Sequence, residues 1–155
     1  MAEAAKPRII LGADHAGFQL KETIKRYLTA EGYAAEDVGT NSEESVDYPD
    51  FARAVAERVA ADASSLGVLT CGNGLGMAVV ANKVRGVRSI AAHDAQAARD
   101  GRQRIQVNVL SLGSKIMTNE EAIEAVRIFL TTEIEGGRHQ RRVDKISEIE
   151  NSRVR

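Results

Sequence analysis

The chain has 155 residues, with 21 lysines and arginines against 22 aspartates and glutamates and a formal net charge of -1. That length suits one domain around one core, and the balanced charge argues against a general nucleic-acid or anionic-membrane binder, which carries a basic excess. One cysteine excludes an intrachain disulfide and any multi-thiolate zinc site, and three histidines leave little room for a histidine-rich metal centre.

Residues 1–7 are polar and alanine-rich with no apolar h-region, so no leader peptide is expected. No run approaches the ~18 apolar residues of a membrane span, so the expected address is the cytoplasm. No linker or internal repeat divides the chain, and residues 1–155 read as a single domain.

Residues 8–12 are a short apolar run ending at glycine, a buried strand. Leu20, Ile24, Tyr27 and Leu28 recur at helical spacing, and Glu31-Gly32 closes that helix. A second strand is predicted over 34–38, followed by a polar loop up to Pro49. Residues 51–61 read as a helix with Phe51, Val55 and Val59 on one side. Residues 67–71 are a third strand, which runs through Gly72-Asn73-Gly74-Leu75-Gly76 into an alanine/valine helix ending near Val84. Two more strands are predicted over 88–92 and 108–112, with a helix over 94–102 between them. Thr118-Asn119-Glu120-Glu121 has capping-box spacing and opens a helix with Ala122, Ile123, Val126, Phe129 and Leu130 on its core face. A last, highly charged helix begins in the stretch 136–142, and the tail over 147–155 is available to wrap a neighbour.

Alternating strands and helices imply right-handed βαβ crossovers. The expected fold is α/β: a Rossmann-like three-layer sandwich with a five-stranded parallel sheet, helices on both faces and a C-terminal helix available to dock on a partner subunit. Such sheets bind ligands at the carboxyl ends of their strands, which directs attention to the loops after Gly12, Cys71 and Ala92.

The strongest local signal is Cys71-Gly72-Asn73-Gly74-Leu75-Gly76-Met77, between a strand and a helix. Three glycines let the backbone approach a ligand and turn several N–H groups toward one point. Such a turn can hold a phosphate, stabilise an oxyanion or favour the thiolate form of a neighbouring thiol. A tight turn with a small buried cysteine is the alternative. The spacing is not that of a dinucleotide fingerprint, and no Walker lysine is present. Asp14-His15 follows the first strand at the same sheet edge and reads either as an acid–base or phosphate-binding pair or as a turn cap. At His93-Asp94 a helix N-cap is the favoured reading. Arg138 and Arg142 lie four apart and share a helix face, which suits a phosphate monoester or a solvated basic surface.

Together these pieces resemble the type B ribose-5-phosphate isomerases and the related galactose-6-phosphate isomerase subunits. The matching stretches are Gly12-Ala13-Asp14-His15-Ala16-Gly17, Glu44-Ser45-Val46-Asp47-Tyr48-Pro49-Asp50, the Cys71–Met77 turn, Ala81-Asn82-Lys83, Asn108-Val109-Leu110 and Gly136-Gly137-Arg138-His139-Gln140-Arg141-Arg142. The resemblance implies aldose–ketose isomerisation of a sugar phosphate without metal or cofactor. It also implies a homo-oligomer, dimer or tetramer, whose sites are shared between two subunits. Cys71 matches the base that moves a proton between C1 and C2, and the turn from Gly72 through Gly74, Leu75, Gly76 and Met77 matches the enediolate cradle. His15, Arg138 and Arg142 match phosphate contacts, and Asp14 and Tyr48 match residues lining the site. Asn73 stands where many members have threonine, and Lys115 where relatives often have arginine.

One departure stands out. Members usually carry His-Asn-Asp shortly before the Asn-Val-Leu strand, with the histidine opening the sugar ring and the asparagine contacting substrate. Here the segment is Arg104-Ile105-Gln106. Arginine stays protonated near neutral pH, so Arg104 can bind an anion but cannot take a hydroxyl proton in the usual way. The expected function is therefore a sugar-phosphate isomerase with ribose 5-phosphate as the default substrate. The alternatives are a tetrose or hexose phosphate isomerase, or a phosphosugar-binding protein without turnover. His93 and His139 are the candidates for ring opening.

Overall fold

The structure is a computed structural model that describes residues 5–152. Residues 1–4, within the stretch expected to carry no leader peptide, and residues 153–155 of the charged tail lie outside the described residues. Five strands, β1 (Arg8–Ala13), β2 (Ala35–Asp37), β3 (Ser65–Cys71), β4 (Ser89–Ala91) and β5 (Val109–Gly113), form one sheet in the order β2-β1-β3-β5-β4. Every pairing is parallel. The described residues also form six helices: α1 (Phe18–Ala30), α2 (Tyr48–Ala61), α3 (Leu75–Ala81), α4 (Ala95–Ile105), α5 (Asn119–Thr131) and α6 (Arg138–Asn151).

The strands are nearly continuous apolar runs because both faces of the sheet are covered. Ile9 and Leu11 of β1 pack on one side with Leu20, Ile24 and Leu28 of α1, Ala98 of α4 and Val126 and Phe129 of α5. Ile10 points the other way, joining Ala52, Val55 and Val59 of α2 and Met77 and Ala81 of α3. Cys71 belongs to that second layer and is 5% exposed.

Local signals explain the element ends. After α1, Gly32 takes φ 81, its N–H donates to Thr29 O, and the Tyr33 N–H donates to Leu28 O. This double bond pattern closes the helix at the predicted Glu31-Gly32. Thr118 accepts the Glu121 N–H at 3.1 Å and caps α5. Asp94 accepts the Ala97 N–H at 2.7 Å and caps α4, the favoured reading of His93-Asp94.

Strand β3 begins at Ser65, two residues before the expected start, and three helix boundaries shift by three residues. Helix α2 starts at Tyr48 rather than Phe51, because Pro49 sits in the first turn, where its missing N–H costs nothing. Helix α3 stops at Ala81 instead of continuing to Val84, since the Asn82 side chain turns to exchange hydrogen bonds with the Ser89 backbone. Helix α4 runs on through Ile105 and ends where Gln106 adopts φ 55, so Arg104 and Ile105 occupy its last turn.

Candidate active site

Strand order reverses direction around β1 and β3: β2 lies on one side of β1 and all later strands on the other. The crevice at the carboxyl ends of such a pair is the usual ligand site of an open parallel sheet. Here it holds the Asp14-His15 loop and the Cys71 turn together.

Hydrogen bonds tie the loops at this edge. The Thr70 hydroxyl donates to Gly17 O at 2.8 Å, and the Ser114 hydroxyl donates to Ala16 O at 2.7 Å. The Ser114 and Lys115 N–H groups donate to Cys71 O and Gly72 O at 2.8 and 2.9 Å. The loops after β1, β3 and β5 therefore act as one platform. Thr70 and Ser111 carry part of it, and neither was singled out in the sequence. Their signal is a hydroxyl inside an otherwise apolar buried strand, which needs a partner.

Within the platform, Asp14, Ala16, Tyr48, Cys71, Asn73 and Lys115, with the turn residues Gly72, Leu75 and Gly76, line an open cleft of about 380 Å³. The Gly74 N–H donates to Cys71 Sγ at 3.1 Å, a buried contact that aims a backbone donor at the sulfur. Because α3 has only seven residues, this donor belongs to the turn itself rather than to a long helix dipole. The Leu75 N–H is taken by Asn73 Oδ1 at 3.0 Å. The amides of Asn73 and Gly76 have no partner among the described residues. Asp14 is buried and accepts the Gly17 N–H at 3.0 Å, so it caps its turn while also lining the cleft. His15 Nδ1 accepts the Val46 N–H at 3.1 Å. That fixes the neutral tautomer with its proton on Nε2, a donor suited to an anion. Met77 is fully buried in the α2/α3 layer, and its side chain faces core rather than cleft.

The arginines lie elsewhere. Arg104, Arg138 and Arg142 line a second pocket with Asp100, Ile105, His139, Val143 and Ile146 between α4 and α6. No residue is common to the two pockets. Arg104 approaches Asp100 at 4.0 Å across one helical turn. His139 is buried there, 3.6 Å from Glu135. Among the described residues no group of three or more His, Cys, Asp or Glu side chains could hold a metal ion, and no helix is long and apolar enough to cross a membrane.

A family model described as Ribose/Galactose Isomerase matches residues 9–146. The chain belongs to that family. Ribose-5-phosphate isomerase B of Escherichia coli is 40% identical over 146 residues, 94% of this chain and 98% of the relative. The solved structure of ribose-5-phosphate isomerase B from Clostridium thermocellum matches with a TM-score of 0.91 and 42% identity, covering 93% of this chain and 97% of that one. The Mycoplasma genitalium enzyme, solved with bound ribulose 5-phosphate, matches with a TM-score of 0.91 and 40% identity over 94% of this chain and 97% of that one. The three-layer fold with a five-stranded parallel sheet is thus that of this isomerase family.

Proposed function

We propose that the protein interconverts an aldose phosphate and its ketose, by default ribose 5-phosphate and ribulose 5-phosphate, with Cys71 as the base. The observation that carries this reading is the buried Gly74 N–H on Cys71 Sγ, at the floor of a cleft shared with Asp14, Tyr48 and Lys115.

The chemistry follows from that arrangement. The Cys71 thiolate takes the proton from C2 of the open-chain aldose, and the C–H electron pair becomes the C1–C2 double bond of an enediolate. Negative charge moves onto O1, where backbone donors such as the Asn73 and Gly76 amides stabilise it. The proton of the C2 hydroxyl passes to O1, the thiol returns its proton to C1, and C2 becomes the carbonyl. No atom or electron is gained or lost. The Asn73 and Asp14 side chains are the polar groups available to steer the hydroxyl proton. A phosphate remote from the reacting carbons supplies binding energy that orients them. His15, Lys115, Arg138 and Arg142 are the residues assigned to it.

In one chain the arginine pocket is separate from the Cys71 cleft, so a phosphate held by Arg138 and Arg142 requires a second copy of the chain. We assign the complete site to a homodimer in which α6 of one copy meets the cleft of the other, with the cytoplasm as its setting. A second substrate class is favoured by Arg104 and Ile105, which leave no histidine at the ring-opening position. A tetrose 4-phosphate cannot close a furanose ring, because its terminal oxygen is esterified, and needs no such group.

The test is incubation with ribose 5-phosphate, erythrose 4-phosphate, allose 6-phosphate and galactose 6-phosphate while ketose formation is followed. Turnover of ribose 5-phosphate supports the default, and turnover of the tetrose alone supports the acyclic substrate. Phosphosugar binding with no ketose from any of the four overturns the enzyme reading.

A further inference from the structure

The peptide between Asn73 and Gly74 is held at both ends. Its N–H donates to Cys71 Sγ at 3.1 Å, and its carbonyl oxygen lies 3.2 Å from His93 Nε2, from the loop after β4. A carbonyl oxygen can only accept, so the His93 proton sits on Nε2 and the imidazole donates. One peptide plane therefore connects an exposed histidine on one side to the buried thiol on the other.

The flanking groups are fixed by other means. The Ser111 hydroxyl donates to Gly74 O at 2.7 Å, and the Leu75 N–H is held by Asn73 Oδ1. The Asn73–Gly74 peptide is the one left able to turn. Gly74 has φ 79 and ψ -9, the dihedrals of the third residue of a type II turn. Rotating the preceding peptide by roughly half a turn converts that geometry to type I, where the same residue takes φ near about -90°. Glycine tolerates both, so the backbone itself sets little preference. In the flipped state a carbonyl oxygen, not an N–H, points toward Sγ. The dipole then disfavours the thiolate that base catalysis needs.

We infer that His93 is a positioning residue: it latches the Asn73–Gly74 peptide in the orientation that aims the Gly74 N–H at Cys71. It acts through the peptide and touches no reacting atom. This rests on the reading of Cys71 as the base, but the latch has a readout independent of turnover. The chain has a single cysteine, so alkylation reports on Cys71 alone.

The experiment compares the full-length wild-type protein with His93→Leu and His93→Gln. Leucine removes the donor, whereas the glutamine amide can replace it. The rate of Cys71 alkylation by iodoacetamide near neutral pH is measured in each, alongside kcat and KM. Far-ultraviolet circular dichroism and thermal melts confirm folding, which an exposed side chain should not disturb. His93→Leu is expected to lower the alkylation rate and kcat together, by about threefold or more, with KM unchanged, and His93→Gln to recover most of both. An unchanged alkylation rate in His93→Leu overturns the latch, as does an equal loss in His93→Gln. If the wild-type protein isomerises no sugar phosphate, the functional reading fails while the alkylation comparison still decides the latch.

Discussion

Gly17 and Thr70 are in direct backbone contact. The Thr70 hydroxyl donates to Gly17 O, and a Cβ placed on Gly17 would lie 2.2 Å from Thr70 O. Gly17 has φ -96, so it is required for space, not for conformation. This contact brings the start of α1, and with it the Asp14-His15 loop, against the strand that delivers Cys71. Gly17→Ala is expected to cost about 2 kcal/mol by forced separation of the two backbones. Denaturant melts will give the stability. Activity should fall further than stability alone explains, because the two loops that share the cleft are driven apart.

Removing the base should abolish the proton transfer while sparing the binding of the phosphate. Cys71→Ala is expected to lower kcat by about 10²–10⁴-fold. Substrate affinity, measured by calorimetry, should stay within a few-fold of wild type. A variant with near-normal kcat would show that another group moves the proton.

Separation of the Cys71 cleft from the arginine pocket leads to a complementation test. Cys71→Ala and Arg142→Ala should each be inactive alone. Unfolded together and refolded at equal amounts, half of the dimers are mixed, and each mixed dimer has one intact site of two. About a quarter of wild-type activity is expected to return, given two-fold symmetry. No recovery from a mixture shown to contain mixed dimers would mean that each site is built within one chain.

At the end of α4, Arg104 is exposed and only loosely paired with Asp100. If ring opening limits turnover of a furanose phosphate, Arg104→His should raise kcat on ribose 5-phosphate by about tenfold or more, within the range of general acid–base catalysis. Turnover of erythrose 4-phosphate should not rise with it. A fall on both substrates would instead mark Arg104 as an anion contact.

Away from the site, Lys21 is 1% exposed and bonds Asp37 at 2.6 Å and Glu22 at 2.9 Å. Burial pushes the Asp37 carboxyl pKa up, but hydrogen bonds from Lys21, the Gly39 N–H and Lys25 outweigh it and hold it below the usual 3.8. A carboxyl depressed on folding stabilises the fold above its unfolded pKa and loses that contribution as pH falls through the folded value. Asp37→Asn should therefore cost about 2–3 kcal/mol at neutral pH, less than a wholly orphaned buried charge because Glu22 remains. The gap between variant and wild type should narrow as pH drops below 3.8 in urea titrations.

The element order could be read directly from hydrophobic periodicity, because burial of a helix stripe or a strand is a local property of the chain. Motif placement followed as well, since Asp14-His15 and the Cys71 turn each come directly after an apolar strand. Element ends were less legible wherever a proline, a side chain or a left-handed backbone decided them, as at Pro49, Asn82 and Gln106.

The strands and helices, the glycine turn behind the lone cysteine and the likeness to an isomerase family are all legible along the chain. The strand order comes from long-range packing, which places β1 beside β3 and so brings Asp14 and Cys71 into one cleft. That packing also separates the arginines from that cleft and sets His93 against the Asn73 carbonyl. Periodicity reports which face of an element is buried and is silent on which element covers it. The bond from Ser114 to Ala16 spans 98 positions, and no local pattern encodes a contact at that separation.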